Sequence, residues 1–268
     1  MLFRARNYSS ICEGISVLFG VDFENIFEYL HGIYFEEREN AIKELVVRYI
    51  KTHITDIEFY HLSRSFSRHT VLYPLDQLLL EESELSLFFL RHHIEFRKSG
   101  ENAISMFFNG LETENDIIDS HFLLGKRFTS DMCICGFQIL ENIDRYKPGY
   151  LFDILSQSPE IVQSVDETLH LNGALIEDFN KNSKYYCEIG TVPFSEVGFY
   201  KGDSWEIPPS ADCVYKEQVY VSKIISYAFS KYLHPNFNPI ENALIYCEKP
   251  IKITDRVQPK DIWPEGQF

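Results

Sequence analysis

The chain is short of cations. Its 268 residues hold 25 Lys and Arg against 40 Asp and Glu, a formal charge of -15. Nucleic-acid binding runs on Lys and Arg that neutralise phosphates, so this balance disfavours a general polyanion binder. Long apolar runs are missing too. None reaches the roughly 18 residues that a bilayer-spanning helix needs, so no membrane association is expected. Arg4 and Arg6 precede Ile11, but Glu13 interrupts the apolar stretch and no small-residue cleavage pattern follows. With no Gly at position 2 and no C-a-a-X ending, the expected location is cytoplasmic.

The 13 glycines are scattered, and there is no G-x-x-x-x-G-K-[ST] or G-x-G-x-x-G loop to cradle a phosphate. H-E-x-x-H and G-x-S-x-G are also absent. The six cysteines are dispersed except for Cys133-Ile134-Cys135. A C-x-C without a second Cys/His cluster is a poor zinc signal, so buried, reduced cysteines and no metal are expected. His92 and His93 are adjacent and point to different helix faces. Asp116, Asp119 and His121 could be read as metal ligands, but Asp116 and Asp119 are three apart on an expected helix and read equally as a solvated face, and the Glu167/His170 pair beside Asp166 has no second copy.

What the chain does have is apolar and aromatic mass. Apolar residues make up 45%, with 22 Phe and 16 Tyr, enough to offset the chain entropy lost on folding. The N-terminal part reads as helical. Asp22 is placed to cap a helix carrying Ile26, Phe27 and Leu30. Ala41, Ile42, Leu45, Val46, Tyr49 and Ile50 recur at three- and four-residue steps. At Asp56 the period changes to two, and Ile57, Phe59 and His61 share one face of a strand. Pro74 and Asp76 open a helical stretch that continues through Leu85, Phe88 and Phe89.

Residues 101–124 read as further helix broken by Asn109-Gly110. Strands are expected over residues 132–139, 185–192 and 243–247. A helix is expected after Pro159 and a loop from Trp205 to Asp212. Val219-Tyr220-Val221 is strand-like, whereas Ile224 to Tyr232 has helical spacing. The tail from Lys252 is expected to pack loosely. The fold class is α+β: a mixed or antiparallel sheet core with a helical N-terminal portion. Residues 1–54 form that portion and 55–268 an α+β domain, one continuous domain being the alternative division.

The segment Phe59-Tyr60-His61-Leu62-Ser63-Arg64, followed by Leu72-Tyr73-Pro74-Leu75, resembles the first core strand of ADP-ribosyltransferase-like proteins. That resemblance implies a site that takes NAD as substrate and transfers or hydrolyses at the nicotinamide ribose. His61 then matches the ribose-binding position. Tyr215-Lys216-Glu217-Gln218-Val219-Tyr220-Val221 resembles the late segment in which a Glu precedes a strand, with Glu217 in the catalytic place. The mid-chain aromatic falls among Tyr146, Tyr150, Tyr185 and Tyr186, with Tyr150 favoured because it follows a Pro-Gly turn. Arg64 or Arg127 would offset the pyrophosphate. A carboxylate beside the ribose would stabilise the positive charge that develops as nicotinamide leaves.

Each residue also has a plainer reading. His61 can be a packed strand residue, Arg64 can pair with a surface acid, and Arg127 can neutralise a helix C-terminus. On that reading the chain is a non-catalytic acidic interaction protein, such as an inhibitor, an immunity protein or a defence-system component, with a basic protein as partner.

Overall fold

A computed structural model describes residues 1–100, 103–114, 118, 122–129, 132–141, 158–201, 204–235 and 244–258. The class is α+β, as expected, with antiparallel sheet pairing and one parallel pair among the described strand pairs. The chain divides into two compact units. The first comprises Met1–Tyr60, Gly136–Tyr150 and Ile189–Tyr246, and the second His61–Cys135, Leu151–Glu188 and Cys247–Phe268. Two strands, β2 (Asp56–Ser65) and β8 (Lys184–Pro193), contribute residues to both.

In the first unit, β1 (Leu2–Phe3) runs parallel to β2, with Leu2 opposite Asp56 and Phe3 opposite Ile57. Helix α1 (Tyr8–Phe19) starts on a capping box: Asn7 accepts from the Ser10 N–H, and the Ser10 hydroxyl accepts from the Asn7 N–H. It stops at Gly20, whose φ of 66° is the left-handed conformation that glycine adopts without a Cβ penalty. Helices α2 (Phe23–His31) and α3 (Arg38–Tyr49) follow; the expected α2 stripe is buried through Ile26, Phe27 and Leu30, whereas of the expected α3 stripe Ile42 and Val46 are buried, Ala41, Leu45 and Ile50 are half-buried and Tyr49 is exposed.

Strand β7 (Ile134–Phe137) enters this unit at Gly136, where a side chain would collide with the Phe59 ring. The hairpin of β9 (Val197–Lys201) and β10 (Ser204–Ile207) carries a bulge at Trp205/Ile207. Trp205 to Ile207, expected as loop, is therefore strand. Strand β11 (Leu244–Cys247) completes the unit's order, β10-β9-β11-β7-β2-β8.

Against these elements lies α9 (Cys213–Leu233), which packs on α1, α2 and α3. Asp212 caps it by accepting from the Tyr215 N–H at 3.0 Å. The strand reading of Val219–Val221 is corrected here. Glu217, Tyr220/Val221, Ile224/Ile225 and Ala228 are buried at helical steps, and that burial overrides the local β preference of Val-Tyr-Val. Tyr220 sits in an aromatic cluster, with ring centroids 5.5–5.7 Å from Phe3, Phe194 and Phe199.

The second unit has the order β2-β8-β12-β3, in which β12 (Ile251–Val257) pairs antiparallel with β3 (Val71–Leu72). The beginning of the tail, expected to pack loosely, is thus a ladder strand. A separate antiparallel sheet contains β4 (Ile94–Lys98), β5 (Ile104–Phe108) and β6 (Leu111–Glu112). This corrects the helix expected from residue 101. Asn109 and Gly110 have φ values of 51° and 79°, which makes them the two central residues of a hairpin turn.

Helices α4 (Leu75–Leu80), α5 (Glu84–Arg91), α6 (Phe122–Thr129), α7 (Glu160–Thr168) and α8 (Ala174–Asn182) enclose a phenylalanine-rich core. Phe88 stands 5.5 Å from Phe89 and 5.1 Å from Phe179, and Phe96 stands 5.0 Å from Phe89 and 5.7 Å from Phe128. Asp166, on buried α7, accepts from the N–H groups of Gly173 and Leu175 and so caps α8. Among the described residues no helix is long and apolar enough to cross a membrane.

Candidate functional site

Two of the residues singled out from the sequence lie on β2 within the second unit. His61 is half-buried, and its Nδ1–H donates to the Cys135 carbonyl at 2.7 Å. Burial holds the imidazole below its ordinary pKa, although the Cys135 bond and the Glu188 charge pull the other way. The ring is therefore neutral near pH 7, with its proton fixed on Nδ1.

Arg64 donates from Nε to the Ser183 hydroxyl and from Nη2 to the Asn180 carbonyl, both at 2.6 Å. Its guanidinium lies 4.3 Å from the Tyr185 ring centroid. It satisfies the C-terminus of α8, a structural task suited to a planar cation.

Glu217 belongs to the first unit, in the first two turns of α9. One carboxylate oxygen lies 2.6 Å from His53 Nδ1, and the other accepts from the Ile54 N–H at 2.6 Å. It pins the chain just before β2. The segment around it is helix, so the match to a Glu preceding a strand does not extend to the backbone. Arg127 lies on α6. Tyr150 and Tyr146 lie outside the described residues, as do Asp116, Asp119 and His121. The structure thus brings His61 and Arg64 onto one strand and assigns Glu217 to the other unit.

The sequence reading missed a charged cluster in the second unit. Glu188 is 0% exposed. Its carboxylate meets His69 Nε2 at 3.1 Å and accepts from Arg256 Nη2 at 2.5 Å. The same Nη2 donates to the His69 carbonyl at 2.9 Å, and the guanidinium stacks 4.4 Å from the Tyr186 centroid. Burial alone raises the Glu188 carboxyl. The hydrogen bond with His69 and the charges of His69, His61 and Arg256 outweigh it and hold the group below its ordinary value.

A single acid inside an apolar strand was the available signal, since a buried charge needs a partner. The partners were not visible because Arg256 is distant in sequence, in the tail expected to be loose. Among the described residues no group of three or more His, Cys, Asp or Glu could hold a metal ion. Cys133 and Cys135 Sγ lie 3.8 Å apart as free thiols.

The first unit holds a second buried charge. Lys216 is 0% exposed, and its Nζ donates to the carbonyls of Phe194, Ser195, Val197 and Pro209 at 2.9–3.2 Å. In the same unit, Glu58 is held by Arg6 through two bonds of 2.8 Å and accepts from the Tyr60 hydroxyl at 2.9 Å. These buried ions are all engaged in holding backbone or one another. Neither of two open surface depressions, of about 750 Å³ beside Phe66 and Leu87 and about 730 Å³ beside Tyr8 and Phe23, is lined by His61, Arg64 or Glu217.

Large apolar groups do reach the surface of the first unit, where Tyr34 and Phe35 are 79% and 78% exposed. No protein-family model matches the chain, and neither does any curated protein or solved structure.

Proposed function

We propose that this protein is a non-catalytic binding protein whose partner is a basic protein. The observation that carries the reading is the occupation of Glu217. A carboxylate that polarises a ribose hydroxyl needs an oxygen available to substrate, and both oxygens of Glu217 are engaged by His53 and the Ile54 N–H. His61 is likewise engaged, its Nδ1–H bonded to backbone. The ADP-ribosyltransferase-like reading, with NAD as substrate, is supported by less: it keeps the short sequence resemblance but has no carboxylate to use.

The net charge of -15 favours association with a cationic surface, which electrostatic steering accelerates. Two measurements test this. Purified protein incubated with NAD is expected to release no nicotinamide above buffer. A labelled Arg-rich peptide is expected to bind with an affinity that falls as salt rises. Nicotinamide release by the wild type that is lost in both Glu217→Gln and His61→Ala would overturn the proposal.

A further inference from the structure

We infer that the connection between α2 and α3 is the docking surface for an Arg-rich segment of another protein. The inference rests on the proposed binding role and names its site. Tyr34 and Phe35 are consecutive and more than three-quarters exposed, although Ile26, Phe27 and Leu30 just before them are buried. Two adjacent aromatic side chains held in water are costly unless a partner covers them.

The backbone beneath them is pinned. The Gly32 N–H donates to the Glu28 and Tyr29 carbonyls at 3.2 Å, Ile33 donates to Leu30 at 3.2 Å, and Glu37 donates to Tyr34 at 3.0 Å. Residues 35–37 form a single 3-10 turn. Aromatic side chains on a pinned backbone have few rotatable bonds to order on binding, which suits them to act as anchors.

Charge decides the partner. Between Asp22 and Glu44 there are seven acids and two bases. Both bases are already used inside the protein. Lys43 pairs with Glu39 at 2.7 Å, and Arg38 donates to the Ile33 carbonyl at 3.1 Å. Glu36 and Glu37 follow the aromatic pair directly in sequence and are exposed, and Glu28 is exposed toward the end of α2. Acids beside aromatic rings fit guanidinium groups, which lie over ring faces while their N–H forks meet carboxylates. Arg38 shows that chemistry on the protein's own side, with its guanidinium 5.9 Å from the Phe35 centroid and 5.3 Å from that of Phe229. Guanidinium stacks on aromatic faces in preference to ammonium, so Arg is expected to bind better than Lys.

The test is fluorescence anisotropy with a labelled Arg-rich peptide and its Lys-for-Arg counterpart of equal charge. Wild type is expected to prefer the Arg peptide. Tyr34→Ala combined with Phe35→Ala, which changes no charge, is expected to weaken binding about tenfold. Val214→Ala combined with Tyr215→Ala, an exposed pair on α9 of the same unit, is expected to leave it unchanged.

Wild-type binding that the Tyr34/Phe35 variant retains in full would overturn this surface while leaving the binding role standing. No binding of either peptide by wild type would overturn the role itself. Self-association in sedimentation that the same variant abolishes would assign the surface to a second copy instead. Co-sedimentation with phosphatidylcholine vesicles that the variant abolishes would assign it to lipid. Either result would overturn the inference.

Discussion

Replacing Lys216 with Met is the sharpest test of how the first unit holds together. The substitution keeps the unbranched stem and removes the ammonium. Four backbone carbonyls then lose a charged donor: those of Phe194, Ser195, Val197 and Pro209. The Phe194 carbonyl keeps the bond it accepts from the Val197 N–H, and the Ser195 and Pro209 bonds are only part-buried, so the buried Val197 carbonyl carries most of the loss. An acceptor left unsatisfied in a buried place costs about 1–3 kcal/mol.

Against this stands the relief of no longer burying an ion, worth several kcal/mol, together with partial collapse of the site around the thioether. The net expectation is a loss of about 1–3 kcal/mol, the cost of leaving a buried acceptor unsatisfied. In urea the midpoint should fall with an unchanged slope, since the same surface is exposed on unfolding. Lys216→Arg should also destabilise, because a planar fork does not fit a site that surrounds a point charge. A Lys216→Met loss below about 0.5 kcal/mol would refute the reasoning, since it would place the site among ordinary surface substitutions.

Acid should destabilise the second unit in two stages. The His61 pKa is held below the ordinary 6.5 by burial, so its contribution is complete above pH 6.5 and is lost as pH falls from there toward the folded value. The Glu188 pKa is held below the ordinary 4.5, so its contribution persists above pH 4.5 and drains away as pH falls further. Thermal unfolding between pH 7 and 4 should show the first loss in wild type and a flatter profile in His61→Gln; identical profiles would contradict the assignment. Gly198→Ala should cost about 1–3 kcal/mol, because its Cβ would overlap the Tyr246 ring. Combining it with Tyr246→Leu should restore part of that loss, which a double-mutant cycle by denaturant unfolding measures.

Where one periodicity and one buried face agreed, the sequence was legible. Helix α3, the start of β2 and the helix after Pro159 appeared as expected for that reason. Asn109-Gly110 was read as a helix break although it is among the strongest hairpin signals, because the alternation in Ile104-Ser105-Met106 was short. Val219–Val221 was ambiguous because the face that makes it helix is set by neighbours on α1, α2 and α3. His61 and Arg64 were recognisable as polar groups at a strand. Their work could not be read, because it depends on Cys135, Asn180 and Ser183, which are more than 70 residues away. Glu188 was concealed in the same way by its reliance on Arg256.

The interleaving of the two units sets a timetable for synthesis. The apolar faces of α1 and α2, including Ile15, Leu18, Phe27 and Leu30, leave the ribosome early, while α9, which covers them, begins only at Cys213. About 150 residues separate Tyr60 from that point, roughly 8–30 s at ordinary elongation rates. Through that interval α1, α2 and α3 have one another but not the long helix that completes their cover. A ribosome stalled before residue 213 should therefore yield an aggregation-prone product.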